Sequence, residues 1–279
     1  MGDLLSRWHA ALVEQLPVAV ATIIEGPGTG SKILVSPEDH VGGASNDDLD
    51  KAVVETARGL LEGGKTGTTR FGPRGQRRME DVTIFIQSFA PPPKMYVFGA
   101  IDFASAVARV GKLMGYRVIV CDARAVFATR DRFPTADEII VSWPDDFLKT
   151  AEVDARSVIC VLTHDPKFDV PVLKAALDTP AGYIGAMGSR RTHDNRTARL
   201  KEEGVTDEQL ARISSPIGLD IGARTPEETA VAIAAEIVAL NTGHSGGRLA
   251  ERSGPIHATP ADTTPSPDAR DAAGVANEL

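Results

Sequence analysis

The residues able to do chemistry in this chain gather in a few short loops. "GAMGSRRTHDNR" places Gly185 and Gly188 ahead of a helix start, with Ser189, Arg190 and Arg191 at its mouth. Unsatisfied backbone N–H groups, the positive end of a helix dipole and two guanidiniums are the parts of an anion site. "PIGLDIGARTPEE" adds Asp220, Arg224 and a further helix N-terminus. A structural turn explains its glycines; an acid and an arginine between them point to ligand contact. "LTHDPKFD" carries His164 and Asp165, suited to orienting a ligand or moving a proton, and equally to capping a neighbouring loop.

A fourth loop, "GAIDFA", keeps the frame of a dinucleotide-binding turn. Gly99 and Ala104 hold the first and third small positions of G-x-G-x-x-G/A. Ile101 stands at the second, where the backbone must come close to a pyrophosphate. Asp102 adds a negative charge that would repel it. The turn is therefore expected to survive as scaffold and to be altered as a binding site, which argues against tight NAD(P) binding. Asp122 lies 23 residues beyond Gly99, close to the spacing of about 20 at which a ribose-binding acid is expected. Without the glycines that signal is weak. Cys121 and Cys160 sit in the apolar runs "RVIVC" and "SVICVL" and read as buried, reduced thiols of low reactivity.

These loops need a frame. Strands are expected at Met95–Phe98, Arg117–Cys121, Glu138–Val141, Ser157–Leu162 and Gly182–Ala186, with helical patterns between most of them. Such alternation implies a mostly parallel sheet covered on both faces, a Rossmann-like α/β domain over 95–242. All four loops then leave the carboxyl edge of that sheet, where ligands bind in open α/β folds. The last helix, "TPEETAVAIAAEIVAL", is announced by Thr225 as N-cap, Pro226 at its first position and Glu228 closing a capping box.

Residues 1–89 read as a small α+β domain. An opening amphipathic helix precedes a β-branched strand at Val18–Glu25 and its paired strand. A helix begins at Asn46 or Asp47 and ends at Gly63, and an alternating strand covers Asp81–Phe89. Residues 90–94, "APPPK", form a stiff linker because consecutive prolines favour extended geometry. Residues 243–279 are rich in Pro, Asp, Thr and Ala with little apolar periodicity and read as a low-complexity tail.

Composition narrows the function classes. The chain has 279 residues, 42% hydrophobic and 24% charged, enough for about two domains with real cores. A net charge of −8 argues against general nucleic-acid binding, which usually calls for a dominant basic surface. No apolar run reaches ~18 residues, so no membrane span is expected. The opening "MGDLLSRWHAALVEQL" lacks the pattern of a secretory signal. A cytoplasmic protein is the expectation.

The stretches "GYRVIVCDAR…FATRDRFPTADEIIV", "LTHDPKFDVPVLKAAL", "YIGAMGSRRTHDNR" and "SSPIGLDIGARTPEETAVAIAAEIVAL" carry a resemblance that spans nearly all of 94–242. The chain resembles the XdhC/CoxI family, accessory proteins of molybdenum hydroxylases such as xanthine dehydrogenase and carbon monoxide dehydrogenase. A looser match, "VAVATIIEGPGTGSKILVS" and "VGGASNDDLDKAVVETARGLL", follows the family's N-terminal module. The resemblance implies an N-terminal module before a Rossmann-like domain. It implies binding of molybdenum cofactor (molybdopterin), support of its sulfuration, delivery to a partner hydroxylase apoenzyme, and a homodimer.

Three departures qualify it. The family's first turn is G-A-G-H-V-A, here replaced by Gly99 to Ala104 as above. The family cysteine after the glycine run is replaced in "VGGASNDD", where Ala44 and Ser45 stand. The second family cysteine has no counterpart in "RRMEDVTIFIQ". Without a thiolate those positions cannot relay sulfur, so sulfur would come from a cysteine desulfurase or a cysteine-bearing relative. The resemblance, with these departures, implies a cofactor-binding maturation factor rather than a catalyst. An NAD(P)-dependent oxidoreductase and a non-catalytic interaction protein with a vestigial cleft are the alternatives.

Overall fold

The computed structural model describes residues 2–43, 46–77, 79–163 and 165–251. Its amino-terminal part builds an antiparallel sheet. Helix α1 (Gly2–Val13) is followed by β1 (Val18–Glu25), β2 (Lys32–Val35), β3 (His40–Gly42), α2 (Asp47–Glu62), β4 (Gly67–Phe71) and β5 (Val82–Phe89). The strands pair in the order β3-β2-β1-β5-β4. Helix α2 starts where Asn46 accepts the Leu49 amide at 2.9 Å, with three aspartates in its first turn favoured by the helix dipole. Leu49, Val53, Ala57 and Leu61 recur at helical spacing and bury against Ala19, Ala21, Ile84 and Ile86 of the sheet. Leu4 and Trp8 of α1 cover Val18, Val20 and Leu34 on the opposite face.

After the Pro91–Pro93 run the chain changes rule. Strand β6 (Lys94–Phe98), α3 (Asp102–Leu113), β7 (Arg117–Asp122), β8 (Glu138–Val141), α4 (Pro144–Leu148) and β9 (Val158–Val161) come first. Helix α5 (Pro166–Leu177), β10 (Tyr183–Ala186), α6 (Arg190–Glu202), α7 (Asp207–Leu210), β11 (Ile213–Ser214) and α8 (Pro226–Thr242) follow. All six strands are parallel, in the order β11-β10-β9-β6-β7-β8. All four residues of β9 are buried, as a continuous apolar run covered on both faces must be. Along β6, Val97 faces a core shared with α3 and α8, while Phe98 faces the core under α4, α5 and α6. The chain steps outward from β6 to β8 and then returns to lay β9 on the other side of β6. The order therefore reverses between β6 and β9, which opens a crevice at their carboxyl ends.

Helix α8 has its expected capping box and ends at Gly243, whose φ of +70° is the left-handed conformation that glycine adopts without strain. Of the expected tail, 243–251 contains a single helical turn at Leu249–Glu251; residues 252–279 lie outside the described residues. Among the described residues no helix is long and apolar enough to cross a membrane.

Candidate functional site

The crevice begins at the turn after β6. Gly99 has φ +104°, and a Cβ there would lie 2.7 Å from Thr163 Cγ2 and 3.0 Å from Thr163 N at the end of β9. Glycine is thus required both by conformation and by the closeness of the neighbouring strand. The Ala100 amide donates to Asp122 Oδ2 at 2.7 Å. Ile101 occupies the N-cap position of α3 in extended conformation and offers no side-chain acceptor. Its side chain does not simply stand in the crevice: it is half-buried against the core beneath α3 and α8. Asp102 pairs with Arg132 at 3.0 Å. The repulsion expected of that carboxylate is offset by a guanidinium 30 residues away in sequence, which the local sequence does not reveal.

Asp122 ends β7 as anticipated, but it faces inward and is 3% exposed. Its Oδ1 accepts from Arg124 N at 2.8 Å and Nε at 2.9 Å. Its Oδ2 accepts from Arg124 Nη2 at 2.8 Å besides the Ala100 amide. Burial alone would raise this carboxyl. The hydrogen bonds from Arg124 and the backbone outweigh burial and hold it below the usual carboxylate range. Both oxygens are committed to bracing the first turn against the second strand. The Arg124 guanidinium lies 4.6 Å from the Phe127 ring centre, and that of Arg132 lies 5.4 Å from the same ring.

Beyond β9, His164 lies outside the described residues. Asp165 caps α5, accepting the Lys167 amide at 3.0 Å. Ser189 does the same for α6, accepting the Thr192 amide at 3.2 Å. Gly185 lies against the last-helix loop, where a Cβ would come within 2.5 Å of Ile217 Cδ1. The Ile217 amide donates to Ala186 O at 3.2 Å. The bases of the two loops, at Ala186 and Ile217, are therefore in contact. Arg190, Arg191, Asp220 and Arg224 are all exposed, and their side chains have no protein partner among the described residues.

The two helix starts differ. At α8, Glu228 Oε2 accepts from Arg224 N at 2.8 Å and Thr225 N at 3.0 Å. Those backbone bonds hold its carboxyl below the ordinary value. The Arg224 and Thr225 amides are thus taken by the helix's own side chain, so Arg224 contributes its guanidinium alone. At α6 the first two positions are Arg190 and Arg191, whose amides have no helical carbonyl to meet.

Sequence reasoning missed what holds these loops. Arg196 Nη2 donates to Asp169 Oδ2 at 2.8 Å and to Met187 O at 2.7 Å, and Nη1 reaches Ser215 Oγ at 3.3 Å. One buried guanidinium thereby ties α5, the arginine turn and the exit of β11 together. Arg196 Nε, Asp169 Oδ1 and Thr163 Oγ1 are buried without a hydrogen-bond partner among the described residues. Glu236 of α8 accepts from Gly218 N at 2.9 Å and from the Tyr183 hydroxyl, pinning the last loop to β10. Arg196 was one arginine among several in a polar helix and Asp169 a lone acid in "FDVPVL". The only signal was an acid at an otherwise apolar helical face.

Both cysteines are fully enclosed. Burial, with the nearby Asp122 carboxylate second, pushes Cys121 up to about 12. Burial, then Glu236, pushes Cys160 to about 12. Among the described residues no group of three His, Cys, Asp or Glu side chains is placed to hold a metal ion.

Residues 95–237 match the XdhC Rossmann domain family and residues 11–72 the XdhC and CoxI family. The chain is 33% identical over 159 residues to a probable xanthine dehydrogenase subunit of Bacillus subtilis, covering 57% of this chain and 46% of that one. It is 28% identical over 156 residues to the molybdenum cofactor insertion chaperone PaoD of Escherichia coli, covering 56% of this chain and 42% of that one. The chain thus spans about half the length of the curated relatives it matches. The crystal structure of a xanthine dehydrogenase from Bacillus halodurans shares the fold. Its TM-score is 0.50 at 20% identity, over 85% of this chain and 95% of that one.

Proposed function

This chain belongs to the XdhC and CoxI family, and from that premise we propose that it is an accessory factor in the maturation of a molybdenum hydroxylase of the xanthine dehydrogenase or carbon monoxide dehydrogenase type. In this reading it holds molybdenum cofactor as cargo and passes it to the apoenzyme. The names of the chaperone relative and of the xanthine dehydrogenase relative support the accessory role. The observation that supports the binding step is that the loops carrying Arg190–Arg191 and Arg224 start side by side at the ends of β10 and β11, their bases joined by the Ile217–Ala186 hydrogen bond at 3.2 Å.

The donor set suits the phosphate end of a pterin cofactor. Arg190 and Arg191 amides at the start of α6 supply N–H groups and the positive end of a dipole. The side chains of Arg190, Arg191 and Arg224 supply planar, charge-assisted donors. Arg196 positions this turn from below without touching the ligand. The set offers no thiolate, so the chain binds and hands over while sulfur comes from a cysteine desulfurase or a cysteine-bearing relative. NAD(P) is not the ligand in this reading, because Asp122 faces Arg124 and Ala100 rather than a ribose. On the same proposal the protein works in the cytoplasm as a homodimer, with 1–89 and 95–242 as its two domains.

The test is retention. The purified protein is incubated separately with released molybdopterin, NAD and NADP, passed through gel filtration, and its bound ligand measured. Molybdopterin should be retained, and Arg190→Ala and Arg224→Ala should each weaken retention about tenfold without lowering the melting temperature. Equal retention by the double variant would remove these arginines from the site.

A further inference from the structure

On the outer side of the carboxyl edge, a groove of about 740 Å³ starts at the head of α5 and runs between α5 and α6. Pro166, Lys167 and Pro171 form its α5 wall. Asn195, Arg199 and Glu202 face them from α6 at the spacing of one helical stripe. The foot is closed by Lys174, whose ammonium reaches across to Glu203 at 3.0 Å. The head is aromatic. Lys167 Nζ stands 5.1 Å from the Trp143 ring centre and 5.0 Å from that of Phe168. The two rings meet at 5.1 Å, and Trp143 is left 45% exposed.

The charges of this groove differ from those at the amino edge of the sheet. There Lys94 has Glu152 at 2.6 Å, Lys112 has Asp137 at 2.8 Å and Arg117 has Glu138 at 2.9 Å, whereas Arg190, Arg191 and Arg224 at the carboxyl edge stand unpaired among the described residues. Among the described residues Lys167 and Arg199 have no carboxylate within ion-pair distance. They stand on opposite walls of one groove, in a chain whose net charge is −8. Solvated cations on a helix face are common, but two unmatched ones facing each other beside an exposed tryptophan make a local reversal of sign with an apolar anchor point.

We propose that the α5–α6 groove docks an extended acidic segment of a partner protein. Its carboxylates meet Lys167 and Arg199, and an apolar side chain seats on Trp143. A small anion gains little here, because Asn195 and Arg199 lie within α6, where backbone amides are spent on the helix, and only side chains are left to hold it. Nucleic acid is disfavoured by the overall negative charge. A peptide gains both ion pairs and aromatic contact, the combination from which interface anchors are made. Glu202, further along α6, opposes a carboxylate at that level and so confines the segment's acids to the upper groove.

The experiment titrates the full chain into a fluorescent peptide of about eight residues alternating Asp and Leu, with anisotropy as the readout. Binding should saturate, weaken about tenfold between low and high salt, and weaken about tenfold in Lys167→Glu/Arg199→Glu; a Lys/Leu peptide should not bind. The exposed-site variant Lys167→Ala/Arg199→Ala gives the same direction should charge reversal disturb folding. Arg224→Ala, in the proposed cofactor cleft, should leave peptide affinity unchanged, so the two readings fail separately. No saturable binding, unchanged affinity in both double variants, or full displacement by inorganic phosphate overturns the proposal.

Discussion

Arg196 and Asp169 are bonded at 2.8 Å with their side chains 4% and 2% exposed, an ion pair sealed between α5 and α6 directly beneath the arginine turn. Desolvating two charges is costly, and their attraction repays it only when the remaining polar atoms are satisfied. Here Asp169 Oδ1 and Arg196 Nε find no partner among the described residues. The pair is therefore better understood as fixing geometry, through Met187 O and Ser215 Oγ, than as a source of stability.

Arg196→Ala should destabilise the fold strongly, by about 3 to 5 kcal/mol, because it strands a buried carboxylate. Chemical denaturation measures this. Arg196→Met combined with Asp169→Leu should recover most of the loss while molybdopterin retention stays low, since the arginine turn is no longer tethered. Recovery of retention together with stability would show that the pair has no positioning role.

The same pair makes a pH signature. Burial raises the Asp169 carboxyl to about 6, with Arg196 opposing the shift. A carboxyl raised on folding contributes stability that is complete below its unfolded value near 4 and lost as pH rises through about 6. On acidification from pH 7 to 4, the wild type should gain roughly 2 kcal/mol relative to Asp169→Asn. The check is a series of denaturation curves on both proteins over that window; parallel curves would place the carboxyl at its ordinary value.

Incubation with a cysteine desulfurase and radiolabelled cysteine should leave no reductant-sensitive label on this protein. Cys121 and Cys160 are enclosed and pushed up to about 12, so almost no thiolate is present at neutral pH and none is accessible. Stoichiometric label on either cysteine would restore direct sulfur transfer.

The double change Ile101→Gly and Asp102→His should raise dinucleotide affinity, read by calorimetry. It removes a branched side chain from the closest-approach position and a carboxylate from the first turn of α3. It also frees Arg132, which Asp102 now holds at 3.0 Å. Because Ile101 is half-buried against the core, a stability loss of about 1 to 2 kcal/mol should accompany the gain. No gain in affinity would mean that Asp122, turned toward Arg124, closes the site by itself.

Strands β6, β7, β9 and β10 were legible because each is a short apolar run that burial on both faces explains, and the edge strand β8, half-buried, was legible from its β-branched residues. The caps at Asn46, Gly63 and Thr225 were legible because capping is a matter of neighbouring residues. Strands β3, β4 and β11 were not anticipated. "HVG" and "IS" are too short to show a period, and "GTTRF" is half polar because one of its faces meets solvent. At the candidate site the glycines and exposed arginines could be found from their loops. The contacts of Asp122 with Arg124 and Ala100, Asp102 with Arg132, and Asp169 with Arg196 could not. Which of two oppositely charged side chains meet across strand ends depends on the fold, and a carboxylate engaged inward looks the same in sequence as one left for a ligand.

The last helix begins with its own carboxylate folded back over its amides. That end of the crevice offers an anion the Arg224 side chain, while the start of α6 offers side chains and uncommitted amides together. On the proposed function, the phosphate end of the cofactor would lie toward Arg190 and Arg191, with Arg224 reaching it by its side chain alone.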